Sequence, residues 1–547
     1  MGKTDTRIMD SREADSRAAQ SSMMNRDRKL YTAWRTVNSG IAGIFAMVIL
    51  AVFPLVYRDY YFDILNYKTE IYYKSVMVFA AVFVLVNVIF LFLVIYLNRG
   101  AARLGGQPLK AVDWAMLAFV SAALISTIQS EYIGAALWGD EGRFSGMVLI
   151  AAYGFTYFAV SRSLRLRQWY LDLFLGTGLL AGAMGILQYF KLDPLGFKRQ
   201  MDPGQYTMFI STIGNINTYT SYIAMLVGMS AVLFYLERGR VRKTWYLVSF
   251  TISLFALITG ISDNAYLALL ALLLVFPLYG FQTMKGVRDY CLILAILCSE
   301  CWLIHWIIST WPGRTLEING LFQVISGLPC LGYAAAGLWI LYAGLCLARR
   351  RLPPEQFLMG KCNRGRWIWA LVLAVFLLGA AYVLYDVNIL GNGERYGGLA
   401  AYLRINDGWG THRWYIWRIG MESYCQFPMI HKLFGSGPDT YGIITIKGYY
   451  DEMVSRYGEI FDSAHNEYLQ YLVTMGAVGL TAYVSLLVLS VREMIRRAKE
   501  SPYVMGIVFA VVCYGAQATV NISVPIVTPV MITLLIMGVS VQEEKHT

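Results

Sequence analysis

Charge is scarce in this chain. Only 15% of its 547 residues are Asp, Glu, Lys or Arg, and histidine occurs five times. Soluble domains carry about 25% charged residues. Together with 57% hydrophobic residues and a mean hydropathy of +0.50, that shortage excludes a soluble enzyme, a disordered protein and a nucleic-acid-binding domain. A disulfide framework is missing too. The eight cysteines (Cys291, Cys298, Cys301, Cys330, Cys346, Cys362, Cys425, Cys513) fall mostly inside apolar runs. Cys298 and Cys301 lie in a hydrophobic helix without partner ligands, so the cysteines read as small polarizable packing residues. No short apolar region with a small-residue cleavage site follows an N-terminal basic patch, and no cleaved signal is expected.

What is abundant is long apolar sequence. One membrane span takes roughly 20 apolar residues, and apolar runs recur at 41–56, 75–97, 113–127, 145–160, 169–190, 214–236, 244–261, 264–281, 290–311, 319–347, 367–390, 466–491, 504–521 and 524–541. The expectation is an all-α integral membrane protein of about fourteen transmembrane helices. The net charge of +11 is mostly an address. Lys and Arg concentrate in alternate short loops, such as those carrying Arg162, Arg165 and Arg167 or Arg238, Arg240, Arg242 and Lys243. The positive-inside rule puts those loops and both termini in the cytoplasm. The organisation that follows is a disordered basic cytoplasmic tail at 1–36 and helices 1–11 within 37–390. A large extracytoplasmic loop at 391–465 separates helices 11 and 12, and 466–547 holds helices 12–14 and a short tail.

The 391–465 stretch breaks the apolar pattern. Loops of such length are functional or disordered, and Trp409, Trp414, Trp417 and many tyrosines speak for a folded one. Residues 411–424 (THRWYIWRIGMESY) read as an amphipathic helix at the membrane surface, with Arg413 and Trp417 on one face and Trp414 and Arg418 on another. The loop ends in Asp462-Ser463-Ala464-His465-Asn466-Glu467-Tyr468-Leu469-Gln470 and runs into an apolar helix. Asp462 or Ser463 is the expected N-cap, with His465 in the first turn beside unpaired backbone N–H groups. The positive helix end favours a neutral imidazole, the form a general base needs, and also welcomes phosphate. The Gly435-Ser436-Gly437-Pro438-Asp439-Thr440-Tyr441-Gly442 stretch is a turn of generic turn formers.

In this order, Arg413…Trp417, the glycine-rich turn 435–442, Ala464-His465-Asn466-Glu467-Tyr468-Leu469-Gln470 and Gly476-Ala477-Val478-Gly479-Leu480 resemble the O-antigen ligase and O-antigen polymerase superfamily. Weaker echoes lie in Ser211-Thr212-Ile213-Gly214-Asn215-Ile216-Asn217 and in the 138–146 loop, which carries Arg143. The resemblance implies many transmembrane helices, a large outer loop and no metal or other cofactor. It also implies transfer of a glycan from an undecaprenyl-diphosphate carrier to an acceptor hydroxyl on a glycan, lipid or wall polymer at the outer face of the cell membrane. By the same resemblance, Arg413, aided by Arg418, holds the diphosphate and His465 activates or orients the acceptor. Arg143, Asn466, Tyr468 and Gly437 are the further expected substrate contacts. Members of the superfamily commonly carry an Arg in an S-R-G-like turn; here Asp263 stands in its place, so Arg143 or another cation is expected to substitute.

Two other function classes fit the composition. A lipid-linked oligosaccharide flippase would place polar groups in a mid-membrane cavity. Glu300 and His305 are the clearest mid-span candidates, although five residues put them about 140° apart on a helix. A metal-dependent membrane glycosyltransferase would use acidic residues of the first outer loop, where Asp59 and Asp63 would share a face of a short helix. The bland reading of each loop residue is structural. Arg143 would neutralise Glu141 or Asp140, and the tyrosines and tryptophans would form an interfacial belt.

Overall fold

A computed structural model describes residues 29–96, 108–140, 142–351 and 364–540. Among these residues the protein is helical apart from a two-stranded hairpin, Phe209–Ile210 with Gly214–Asn215. Each of the fourteen apolar runs coincides with a helix. Ten of the helices are long and apolar enough to cross a membrane: Lys29–Val52, Ile64–Tyr96, Ala111–Ile128, Gln168–Tyr189, Ile216–Leu236, Arg240–Ile258, Met284–Thr310, Leu331–Ala348, Arg364–Asn388 and Glu467–Arg497. The other four, Met147–Ser163, Asn264–Gly280, Val504–Gln517 and Thr528–Val539, are shorter. Twelve residues rise only about 18 Å, short of a hydrocarbon core of about 30 Å. Helix length by itself therefore supports ten crossings among the described residues. The first helix already begins at Lys29, inside the segment expected to be tail; residues 1–28 and 541–547 lie outside the described ones.

Ile216–Leu236 is the centre of the bundle. It is apolar all round, as a fully enclosed helix must be, and 94% of its apolar window is buried. Val504–Gln517 and Arg240–Ile258 pack along it, and Glu467–Arg497 packs along Ala111–Ile128. Arg364–Asn388 is the opposite case: none of its apolar window is buried, so its side chains are left for surrounding lipid. Lys68, wholly buried near the start of Ile64–Tyr96, donates to the carbonyls of Phe53 (2.9 Å) and Pro54 (3.1 Å), and so caps the end of the first helix.

The 391–465 stretch is folded. It holds the helices Ala400–Leu403, Trp409–Gln426, Met429–Phe434 and Tyr441–Tyr457 around a small core of its own. In that core Tyr415, Ile416 and Ile419 meet Tyr441, Met453 and Ala464, and Leu469 and Val473 of Glu467–Arg497 close it from below. The loop is thereby pinned onto one end of the bundle. The starts of Glu467–Arg497 and Asn264–Gly280 converge there with the ends of Ala111–Ile128 and Val504–Gln517.

Candidate functional site

Trp417 locates the site. Its indole N–H donates to the Ala464 carbonyl at 2.9 Å, which ties the loop helix to the residue before His465. Arg413 lies one turn earlier on the same face, so the i,i+4 spacing brings its guanidinium to His465. The helix is less regular than its sequence implies. Gly410, Thr411 and His412 are left-handed (φ +62°, +57° and +66°), and regular geometry starts only at Arg413. For non-glycine residues that conformation is strained, and here it ends immediately before the guanidinium that the site uses.

His465 is itself left-handed, with φ +45°. The expected N-cap moves by several residues: the Asn466 side chain accepts from the backbone N–H groups of Tyr468 and Leu469, both at 3.1 Å. Asn466 is thus the cap of Glu467–Arg497, and His465 precedes the helix instead of occupying its first turn. Asp462 and Ser463 are left for another task. Burial, then the Arg413 and Arg143 guanidinium groups, push the imidazole down to about 4, while Asp462 pulls the other way. Desolvation and two arginines, rather than the helix end, are what favour the neutral imidazole.

The arginines differ in how they are neutralised. Arg413 makes no hydrogen bond or ion pair with any described residue, and its Nε is a buried donor without a partner. Burial lowers its pKa, opposed only by the more distant charge of Asp263. Arg143 binds Asp462 at 2.5 Å and the Ser463 hydroxyl at 3.2 Å, and its Nε too is left unpaired. Arg143 thus reaches an acidic partner 319 positions away in the chain. Arg418 is enclosed by Glu422 (3.1 Å), Asp407 (3.3 Å) and Glu452 (3.4 Å) and lies over the Tyr415 ring. Three carboxylates saturate it, so it holds the loop together. Asp263 accepts from the Leu321 backbone N–H at 3.0 Å, and burial raises its carboxyl against the pull of Arg413.

The glycine-rich turn is a packing device. Gly435 (φ +76°) and Gly476 (φ +70°) face each other. A Cβ on Gly435 would strike the Thr474 carbonyl, and one on Gly476 would strike that of Leu433. Gly476 breaks Glu467–Arg497 at that point. Gly437 (φ +121°) lies so close to Ser130 that a Cβ would come within 2.5 Å of its hydroxyl, so the close approach requires glycine. Tyr468 donates to the Gly515 carbonyl at 2.9 Å, linking two helices. Sequence reasoning missed Asp439. It is buried, left-handed (φ +62°), and accepts the backbone N–H groups of Asp140 (3.0 Å) and Ser145 (2.9 Å). An Asp in a Gly-Pro turn is too common to reveal such a partner.

The competing candidates do not assemble. Glu300 is buried with both carboxylate oxygens unpaired, while His305 faces the Ser326 hydroxyl at 3.3 Å, so the two share no site. Residues 59–63 form turns and not the short helix expected, and Asp63 is held by Arg58 at 2.5 Å. Asp386 binds Asn392 and Tyr396 at the end of its span.

No curated protein matches the chain. Residues 329–484, which include Arg413, the glycine-rich turn, His465 and Gly476, match the family model described as O-Antigen ligase. The match spans less than a third of the chain, and it is in that segment that the chain is similar to the O-antigen ligase family.

Proposed function

We propose that the protein is a membrane glycosyltransferase that moves a glycan from an undecaprenyl-diphosphate carrier to an acceptor hydroxyl at the outer face of the membrane. The observation that carries this reading is the half-buried, unneutralised guanidinium of Arg413 beside a neutral His465, with Arg143 as the second cation. A buried cation without a counter-ion is costly, and an anionic ligand removes the cost. Arg suits a diphosphate because its fork can grip two phosphate oxygens at once.

The chemistry needs few groups. The acceptor oxygen attacks the anomeric carbon while its proton passes to the His465 imidazole. The bond to the diphosphate oxygen breaks, and the carrier leaves as the diphosphate anion with the configuration inverted. Fixed cations act where that negative charge develops. The same cations depress the basicity of His465 in the free protein, and a bound diphosphate offsets them. His465 thus gains basicity when donor is in place. The acid limb of kcat/KM then lies near 4, and that of kcat lies higher. Coincident limbs would count against this coupling. The basic loops at the opposite end of the bundle support an outer location for the site.

The test is a pair of substitutions at Arg413. Arg413→Ala should lower kcat/KM for donor by roughly 10²–10³-fold, and Arg413→Lys, which keeps charge but not the fork, should recover only part. Unchanged donor saturation in Arg413→Ala would remove it from the diphosphate site. Transfer is also expected to continue in a strong chelator; loss restored by Mn²⁺ or Mg²⁺ would return Asp59 and Asp63 to consideration.

A further inference from the structure

Three left-handed non-glycine residues, Phe144 (φ +55°), Asp439 (φ +62°) and His465 (φ +45°), lie around the same arginine. Asp439 Oδ2 accepts the backbone N–H groups of Asp140 and Ser145, which bracket Arg143 on either side. Arg143 in turn grips Asp462 and Ser463, which precede His465. The Asp439 turn is fixed from behind, since the Gly437 N–H donates to the Thr474 carbonyl at 2.9 Å. We propose that Asp439 is a positioning residue: by holding both ends of the 140–145 loop it sets Arg143 against Asp462, and through that pair it places His465.

A carboxylate is costly in a site this enclosed. Burial pushes Asp439 up to about 7, although the two backbone N–H groups and Arg143 favour the charged form. The groups facing it are Arg143 and Asp140 of the loop, Tyr73 of Ile64–Tyr96 and Tyr471 of Glu467–Arg497. Both bonds converge on one oxygen and flank Arg143, which reaches Asp462 and Ser463 in the catalytic segment, so the clamp acts on Arg143.

The geometry stands apart from the transferase reading; only its consequence for turnover rests on that reading. The test therefore follows the His465 ring directly, by NMR titration of the five histidines in the full chain in detergent micelles, with His465 assigned by its loss in His465→Ala. The groups that face His465 are Arg413, Arg143 and Asp462. In Asp439→Ala, Arg143 is released and the His465 midpoint should rise by about one unit, while an unchanged cooperative thermal transition reports an intact fold. Asp439→Asn keeps an oxygen that accepts both N–H groups and should leave His465 within about 0.3 units of wild type. In an Arg143→Ala background, Asp439→Ala should add nothing. An unmoved His465 in Asp439→Ala overturns the proposal, as does a further shift on the Arg143→Ala background. Should Asp439→Ala fail to fold, Asp439→Asn decides alone, and a His465 shift as large as that of Arg143→Ala overturns it. Turnover is expected to fall roughly tenfold to a hundredfold in Asp439→Ala and to be kept in Asp439→Asn. Failure of the transferase reading looks different: His465→Ala would leave the glycans unchanged whatever the NMR shows.

Discussion

A guanidinium that is buried at its Nε and meets no carboxylate within ion-pair distance sets Arg413 apart from the other arginines around it. Arg418 has three acidic neighbours and Arg143 has Asp462, yet Arg413 has only the distant Asp263. Asp263 occupies the position where the superfamily pattern led us to expect an Arg, and its electrostatic effect is on Arg413. Reversing it tests that relation. Asp263→Asn should raise the affinity of the site for inorganic diphosphate by a few fold, because it removes a competing anion; weaker binding would contradict this. His465 provides a second check. Its folded pKa, about 4, lies below the unfolded value of about 6.5. The neutral ring therefore contributes stability that is fully present above pH 6.5 and is lost as pH falls through 4. As pH falls across that window the chain should unfold more readily in detergent, with a lower melting temperature, and His465→Gln should flatten the dependence. A curve shared by both proteins would show that the imidazole is not desolvated. At this scale the resemblance singled out Arg413 and His465, and the fold brings the guanidinium into the electrostatic reach of the imidazole. The sequence could not distinguish the free Arg413 from the saturated Arg418, because neutralisation depends on carboxylates brought in by Asp407 and Glu452 from other turns.

Glu467–Arg497 and the glycine-rich turn form the element on which the site stands. Gly435 and Gly476 meet backbone to backbone, and the helix is broken where they touch. Any side chain at Gly476 collides with the Leu433 carbonyl and must also take φ +70°. Gly476→Ala is therefore expected to destabilise the protein by about 2 kcal/mol or more, seen as a lower melting temperature in detergent. Gly448→Ala, where a Cβ meets open space, is the matched control and should be near neutral. Equal effects would remove the special status of the 435–476 contact. The alternation of apolar runs and turns made the helices legible, since each run coincides with a helix. The cap was not. Asp462, Ser463 and Asn466 all have side chains suited to it, and Arg143 settles the matter by claiming Asp462 and Ser463, a contact across 319 positions that no local pattern encodes.

For the molecule as a whole, hydropathy revealed the class of fold but not the number of crossings, because four of the helices are shorter than a bilayer and only their packing keeps them in the bundle. Helix length and loop charge are separate signals, and only the second speaks to sidedness. The outer location of 391–465 is therefore open to a direct check. Cys425 is exposed within the loop, so a membrane-impermeant maleimide should label it in intact cells, and Cys425→Ser should abolish that label. Labelling of Cys425 only after permeabilisation would invert the topology. The central claim is that glycan transfer takes place at His465. It is tested most directly by comparing cells whose only copy of the protein is wild type with cells carrying His465→Ala at matched expression, profiling their carrier-linked and transferred glycans. The account predicts that the mutant accumulates outward-facing carrier-linked glycan and loses the transferred product, with product length in the wild type separating a polymerase from a ligase. Identical profiles in the two strains would contradict it.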